Sequence, residues 1–131
     1  MWIGTILAGV SALFSQILSL LGVRDARFAT EYNEYAKRLK RSFIAVQQDI
    51  RNGEWSGLHA IANHYDKQRQ LMDEIDEYLY SKQRDKVSEL WSTYRRRVDT
   101  LNRTENSAKT REILTEVNSL LADITAILKP R

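Results

Sequence analysis

Hydrophobic and polar positions follow two rhythms along this chain. The first 23 residues, MWIGTILAGVSALFSQILSLLGV, contain no charged side chain, and all 37 charges fall in the 108 residues that follow. As a helix this opening run spans about 34 Å, enough to cross the ~30 Å hydrocarbon core of a bilayer. Beyond it, apolar residues recur at alternating steps of three and four, the spacing of one buried helix stripe.

The first such stripe, Ala29, Tyr32, Ala36, Leu39, Phe43, Val46 and Ile50, predicts a helix over residues 25–52. Asn52-Gly53 ends it, with Gly53 expected in the left-handed conformation after the cap, and Ser56 expected to cap the next helix. The second stripe is Leu58, Ile61, Tyr65, Gln68, Met72, Ile75 and Leu79, for a helix over 57–80. Its register then slips across the polar Ser81-Lys82-Gln83. Val87, Leu90, Tyr94, Val98 and Leu101 begin a fresh seam over 84–104. No Gly or Pro marks a turn there, so a single helix over 57–104 competes with two. Thr104-Glu105-Asn106-Ser107 closes this stretch. A last helix over 108–128 presents Ile113, Leu114, Val117, Leu120, Leu121, Ile124, Ile127 and Leu128, and Pro130 ends it. The expected fold is all-α: an N-terminal membrane-seeking helix (1–23), then an antiparallel bundle or coiled-coil domain of three or four helices (24–131).

The opening helix has two faces. Ile3, Ile6, Leu7, Val10, Leu13, Phe14, Ile17, Leu18, Leu21 and Val23 share one. Gly4, Thr5, Ala8, Ser11, Ser15, Gln16, Ser19 and Gly22 share the other, at the small-residue spacing that lets helix backbones approach closely in lipid. Its eleven large apolar side chains favour insertion by only roughly 3 to 6 kcal/mol before the polar positions subtract from that. A span this marginal, with an amide at Gln16, is better satisfied beside a copy of itself or a partner. A signal peptide would begin with a basic region and end at a cleavage site, and neither is visible. An in-plane interfacial helix would carry Lys or Arg on its polar face, and this face has none. Burial in an apolar groove between partner subunits remains a third reading.

Charge refines this picture. Arg24 and Arg27 follow the span directly, with Lys37, Arg38, Lys40 and Arg41 further on, so positive-inside bias places the C-terminal domain in the cytoplasm. In a bacterial or phage setting the membrane is the inner one. Residues 24–51 and 81–104 are basic, whereas 54–80 are acidic. Antiparallel folding at Gly53 is expected to bring Lys37, Arg38, Lys40 and Arg41 towards Asp73, Glu74, Asp76 and Glu77. Folding near Asn106 brings Arg95, Arg96 and Arg97 towards Glu116.

Catalytic chemistry has nothing to rest on. The chain has no cysteine, and its two histidines, His59 and His64, stand five apart rather than the four of a helical zinc pair. No phosphate loop, nucleophile elbow or dinucleotide fingerprint occurs. The run Asp73–Glu77 reads as a solvated or salt-bridged face. No cofactor is expected, and nucleic acid is not an expected partner. Two surface features stand out. Trp55, at a loop tip, is a partner contact or the plug of the bundle end. Arg95, Arg96 and Arg97 are a candidate contact for anionic lipid or an acidic partner.

The composition therefore predicts a small non-enzymatic single-pass membrane protein that self-assembles, with the bilayer and its own copies or a membrane complex as partners. Around an axis, Thr5, Ser11, Ser15 and Ser19 would line a polar pore, as in a phage- or toxin-type permeabilising protein; an anchor subunit is the other form. Two alternatives stand beside it. One is an adaptor whose outline of anchor and helical domain is similar to that of inner-membrane phage spanins, which implies the opposite topology. The other is a component of a large helical secretion or virion channel.

Overall fold

The structure, a computed structural model, describes the backbone of residues 12–131 and the side chains of residues 27–131. It contains four helices: α1 (Ala12–Asn52), α2 (Glu54–Ile75), α3 (Ser81–Arg103) and α4 (Ser107–Ile127). A 3-10 turn, Asp76–Tyr78, follows α2, and no strand occurs among the described residues. Helix α1 crosses the position-23 boundary without interruption. Among the described residues no helix is long and apolar enough to cross a membrane. The uncharged run begins eleven residues before the first described one, and the side chains of its remainder lie outside the described set.

The three-four seams become the core. Tyr32, Ala36, Leu39, Phe43 and Val46 of α1 are buried, as are Ile61, Met72 and Ile75 of α2. From α3 come Val87, Tyr94, Val98 and Leu101, and from α4 Ile113, Leu114, Val117, Leu121 and Ile124. Ala29, Ile50, Leu58, Tyr65, Leu90, Leu120 and Ile127 lie at the margins of this core, half-buried. Helix α1 packs beside α2 and α4, and α4 beside α3. The α2–α3 side is filled by large rings: Tyr65 stacks on Trp91 at 5.6 Å between centroids, and Tyr94 lies 5.2 Å from Trp91.

Two turns differ from expectation. Gly53 alone reverses the chain between α1 and α2, with φ 140° and ψ 166°. That is not the left-handed helical conformation but an extended, mirror-image one that only glycine adopts readily. Its N–H donates to Ile50 O at 3.3 Å and its carbonyl accepts from Gly57 N–H at 3.0 Å. Helix α2 thus starts at Glu54, and Ser56 lies inside the first turn instead of capping it.

The second difference is the stop between α2 and α3, which rules out a continuous helix over 57–104. Side chains replace the missing glycine. The Arg84 guanidinium donates twice to the Asp76 carbonyl (3.2 and 2.9 Å), and Gln83 Oε1 accepts the Tyr80 N–H at 3.3 Å. Leu79, extended at φ −85° and ψ 140°, turns into the core. Asn106 caps α4 by accepting the Lys109 N–H at 3.0 Å.

Where α1 and α2 meet, their backbones touch closely. A Cβ on Gly57 would lie 3.0 Å from Ile50 Cγ1 and 3.1 Å from Ile50 Cα. Gly57→Leu is therefore expected to destabilise the bundle by about 1–3 kcal/mol through overpacking. Gly57→Ala is expected to cost less, because helix propensity returns up to ~1 kcal/mol. Thermal unfolding checks both, and a Gly57→Leu protein as stable as the parent would refute the close approach.

The charge blocks meet only in part. Arg97 pairs with Glu116 across α3 and α4 at 3.2 Å, as hairpin geometry predicts. The first hairpin does not follow the expectation: no ion pair joins Lys37, Arg38, Lys40 or Arg41 to the acidic run. Arg38 pairs with Glu34 in its own helix, and Asp76 pairs with Arg84 of α3. The reason is rotational. Lys37, Lys40 and Arg41 line a groove beside Pro130, whereas Asp73 and Asp76 line one against Trp91.

Candidate functional site

The described polar chemistry concentrates where α1 joins the bundle, level with the α2–α3 turn and the end of α4. Phe28 meets Tyr78 edge to face at 5.5 Å, and Tyr35 lies 5.6 Å from the same ring. The Tyr78 hydroxyl donates to Glu31 Oε2. On the other side of α1, Asn33 and the backbone of Arg131 exchange two hydrogen bonds, 2.9 and 2.8 Å long. The Arg131 guanidinium sits between the Tyr32 and Tyr80 rings, 3.8 and 3.9 Å from their centroids, and donates to Gln83 Oε1 at 2.9 Å. Gln83 donates in turn to the Tyr32 hydroxyl and the Ile127 carbonyl.

This collar gathers residues of α1, the 3-10 turn and Tyr80 after it, α3, and the end of α4 with Arg131 beyond it. A helix keeps a fixed rotation of ~100° per residue, so gripping residues 28–33 sets the rotation of the whole of α1. An open groove of about 550 Å³ lies beside it, with Phe28, Tyr78, Tyr80 and Arg131 among its walls.

The collar is also tuned electrostatically. The Tyr78 hydrogen bond, aided by Arg27 at 3.3 Å and opposed by partial desolvation, holds the Glu31 carboxyl below its ordinary pKa. The same carboxylate pushes the Tyr78 phenol up. Glu31 thus contributes stability above the ordinary carboxylate range that is lost as pH falls through its lowered value. Tyr78 contributes below the ordinary tyrosine value of ~10 and loses its contribution as pH rises beyond it. Melting temperature measured from pH 3 to 7 should fall less steeply in acid for Glu31→Gln than for the parent. Parallel acid limbs would show that this pair is not coupled to folding.

A second polar cluster lies in the core. Gln68, fully buried, donates to Ser42 Oγ at 3.0 Å and accepts the Tyr94 O–H at 2.8 Å. His64 Nδ1 lies 3.3 Å from the same Ser42 oxygen. Burial pushes the Tyr94 phenol up, so it stays a neutral donor. The cluster bridges α1, α2 and α3 and fixes their register against one another.

The residues singled out in the sequence do not converge on one site. Gly4, Thr5, Ala8 and Ser11 precede the described residues, and the side chains of Ser15, Gln16, Ser19 and Gly22 lie outside them. Trp55 is 75% exposed at the opposite end from the collar, stacked on His59, so it does not plug the bundle. His59 and His64 take separate partners, and no cluster of metal-ligating groups occurs among the described residues. The three arginines turn in different directions: Arg97 reaches Glu116, Arg96 donates to Thr93, and Arg95 lies exposed.

Sequence reasoning missed the collar. Its contacts between elements join residues from 43 (Tyr35–Tyr78) to 99 (Tyr32–Arg131) positions apart, and no local spacing announces them. Gln68 did carry a signal, as an amide at a seam position.

Fold and collar define a four-helix bundle whose first helix is gripped around residues 28–33 and extends from there back into the uncharged N-terminal run. Neither a family model, nor a curated protein, nor a solved structure matches this chain.

Proposed function

We propose that this chain is a non-enzymatic single-pass membrane protein whose copies gather through the Gly4/Ala8/Ser15/Ser19 face of the N-terminal helix, with the bundle as their organiser. The observation that carries this reading is the uncharged 23-residue run, residues 12–23 of which form the start of α1. The collar supports it by coupling the rotation of that helix to the bundle. Small residues then let neighbouring helices pack closely, and hydroxyls and Gln16 find partners away from lipid. Arg24 and Arg27 put the bundle on the cytoplasmic side. The assembly acts as a permeabilising pore, lined by Thr5, Ser11, Ser15 and Ser19, or as the anchor of a membrane complex.

The mass of the detergent-solubilised particle tests this. The parent should be multimeric, and Gly4→Leu/Ala8→Leu/Ser15→Leu/Ser19→Leu should be monomeric. A monomeric parent overturns the assembly, and a parent that stays in buffer without detergent overturns the membrane. Conductance lost in Ser15→Leu/Ser19→Leu separates pore from anchor. A second reading, an adaptor, draws on the exposed Trp55–His59 tip at the far end of the bundle. It predicts the opposite topology, which protease accessibility in sealed vesicles decides.

A further inference from the structure

We propose that the bundles of neighbouring copies join head to tail, the basic groove on α1 of one copy receiving the acidic stripe on α2 of the next. This rests on the side-by-side assembly proposed above and names the surfaces that the soluble part contributes to it. The groove, about 440 Å³, is lined by Ala36, Lys37, Lys40, Arg41, Ile44 and Pro130, with no acidic side chain among its walls. Ile44 is one of the few large apolar residues left exposed, at 43%. None of the three cations forms an ion pair among the described residues.

Asp66 and Asp73 are exposed and likewise form no ion pair among the described residues. Their spacing of seven, two helical turns, puts them on one stripe of α2. The two surfaces stand at the same height. Ser42 faces His64 and Gln68, and Glu31 faces Tyr78, so residues 37–44 lie level with about residues 65–72. A parallel neighbour therefore meets the groove with its acids without any axial shift. Because the complementary patches are different surfaces, the contact is heterologous and repeats around an axis. The groove runs along the flank of the bundle, so an upright copy turns it towards neighbours rather than towards the bilayer surface.

The chain has no cysteine, so an introduced pair reports the contact cleanly. Full-length Lys37→Cys/Asp73→Cys protein, oxidised in detergent micelles, should give a ladder of disulfide-linked multimers, while either single variant stays uncross-linked. In that background Lys40→Glu/Arg41→Glu should cut the ladder about tenfold or more, as should Asp66→Lys. Combining all three reversals in one chain should restore it. A dimer from Lys37→Cys alone would mean a self-facing contact and would overturn the proposal. A multimeric particle with no ladder would overturn it while leaving the N-terminal assembly standing; a monomeric particle would remove both. If Lys40→Glu/Arg41→Glu abolishes binding to phosphatidylserine vesicles and leaves the ladder unchanged, the groove takes lipid and the proposal fails.

Discussion

Phe43→Ala is expected to cost about 3–5 kcal/mol of stability, the range for emptying a buried aromatic site. Phe43 is fully buried and meets Tyr94 edge to face at 6.4 Å and 86°, so its ring joins α1 to α3 across the centre of the bundle. Aromatic pairs of this geometry add about 0.5–1.5 kcal/mol to the area they bury. Small domains are stable by only about 5–15 kcal/mol, so the substitution removes a large share and should lower Tm by on the order of 20 °C. Phe43→Leu, which keeps most of the volume, should cost far less. Urea unfolding checks both; a loss below ~1 kcal/mol for the alanine variant would show that the centre is loosely packed.

Gln68→Leu is expected to cost about 1–3 kcal/mol, although it replaces an amide by an apolar side chain in an apolar core. The substitution strands the Tyr94 hydroxyl, which is fully buried and has Gln68 Oε1 as its acceptor at 2.8 Å. Ser42 loses less, because His64 stays within 3.3 Å. Tyr94→Phe alone should cost a similar amount by leaving the Gln68 oxygen unpaired. The double variant Gln68→Leu/Tyr94→Phe should then recover most of the loss, since removing both partners leaves nothing unsatisfied. Additive losses in the double variant would disprove the coupling. The recovered protein should also be less strict in register, because Ser42 and Gln68 meet in only one axial setting of α1 against α2.

These two residues show what a linear reading reaches. Phe43 is legible because the 36–39–43–46 spacing has one physical explanation, a stripe that must leave water. Gln68 is half legible: its position places it inside, and its partners come from helices that the sequence does not align. The collar is not legible at all. Arg131 between Tyr32 and Tyr80, and Asn33 against the Arg131 backbone, depend on where α4 ends in space relative to α1. The stop after α2 belongs with them. Arg84 caps the Asp76 carbonyl at the end of α2, while Gln83 caps the start of its own helix at Tyr80, roles that neither glycine nor proline marks.

Charge gave the clearest mismatch. Opposite blocks on adjacent helices suggested pairing within the hairpin, and height alone would permit it. Rotation forbids it, since Lys37, Lys40 and Arg41 line one flank while Asp73 and Asp76 line another. Exposed pairs contribute only about 0–1 kcal/mol each, too little to turn a helix away from the seam that buries its core residues.

The sequence by itself determined the all-helical class, the four buried stripes, the turn at Gly53 and the uncharged N-terminal run. Each of these follows from local periodicity, from glycine's backbone freedom or from the absence of charge. Tertiary structure decided the break between α2 and α3, the rotational setting of the charged faces, the buried Gln68 bridge and the collar around residues 28–33. Those features depend on side chains brought together from distant positions, and only the packing of the bundle chooses which of them meet.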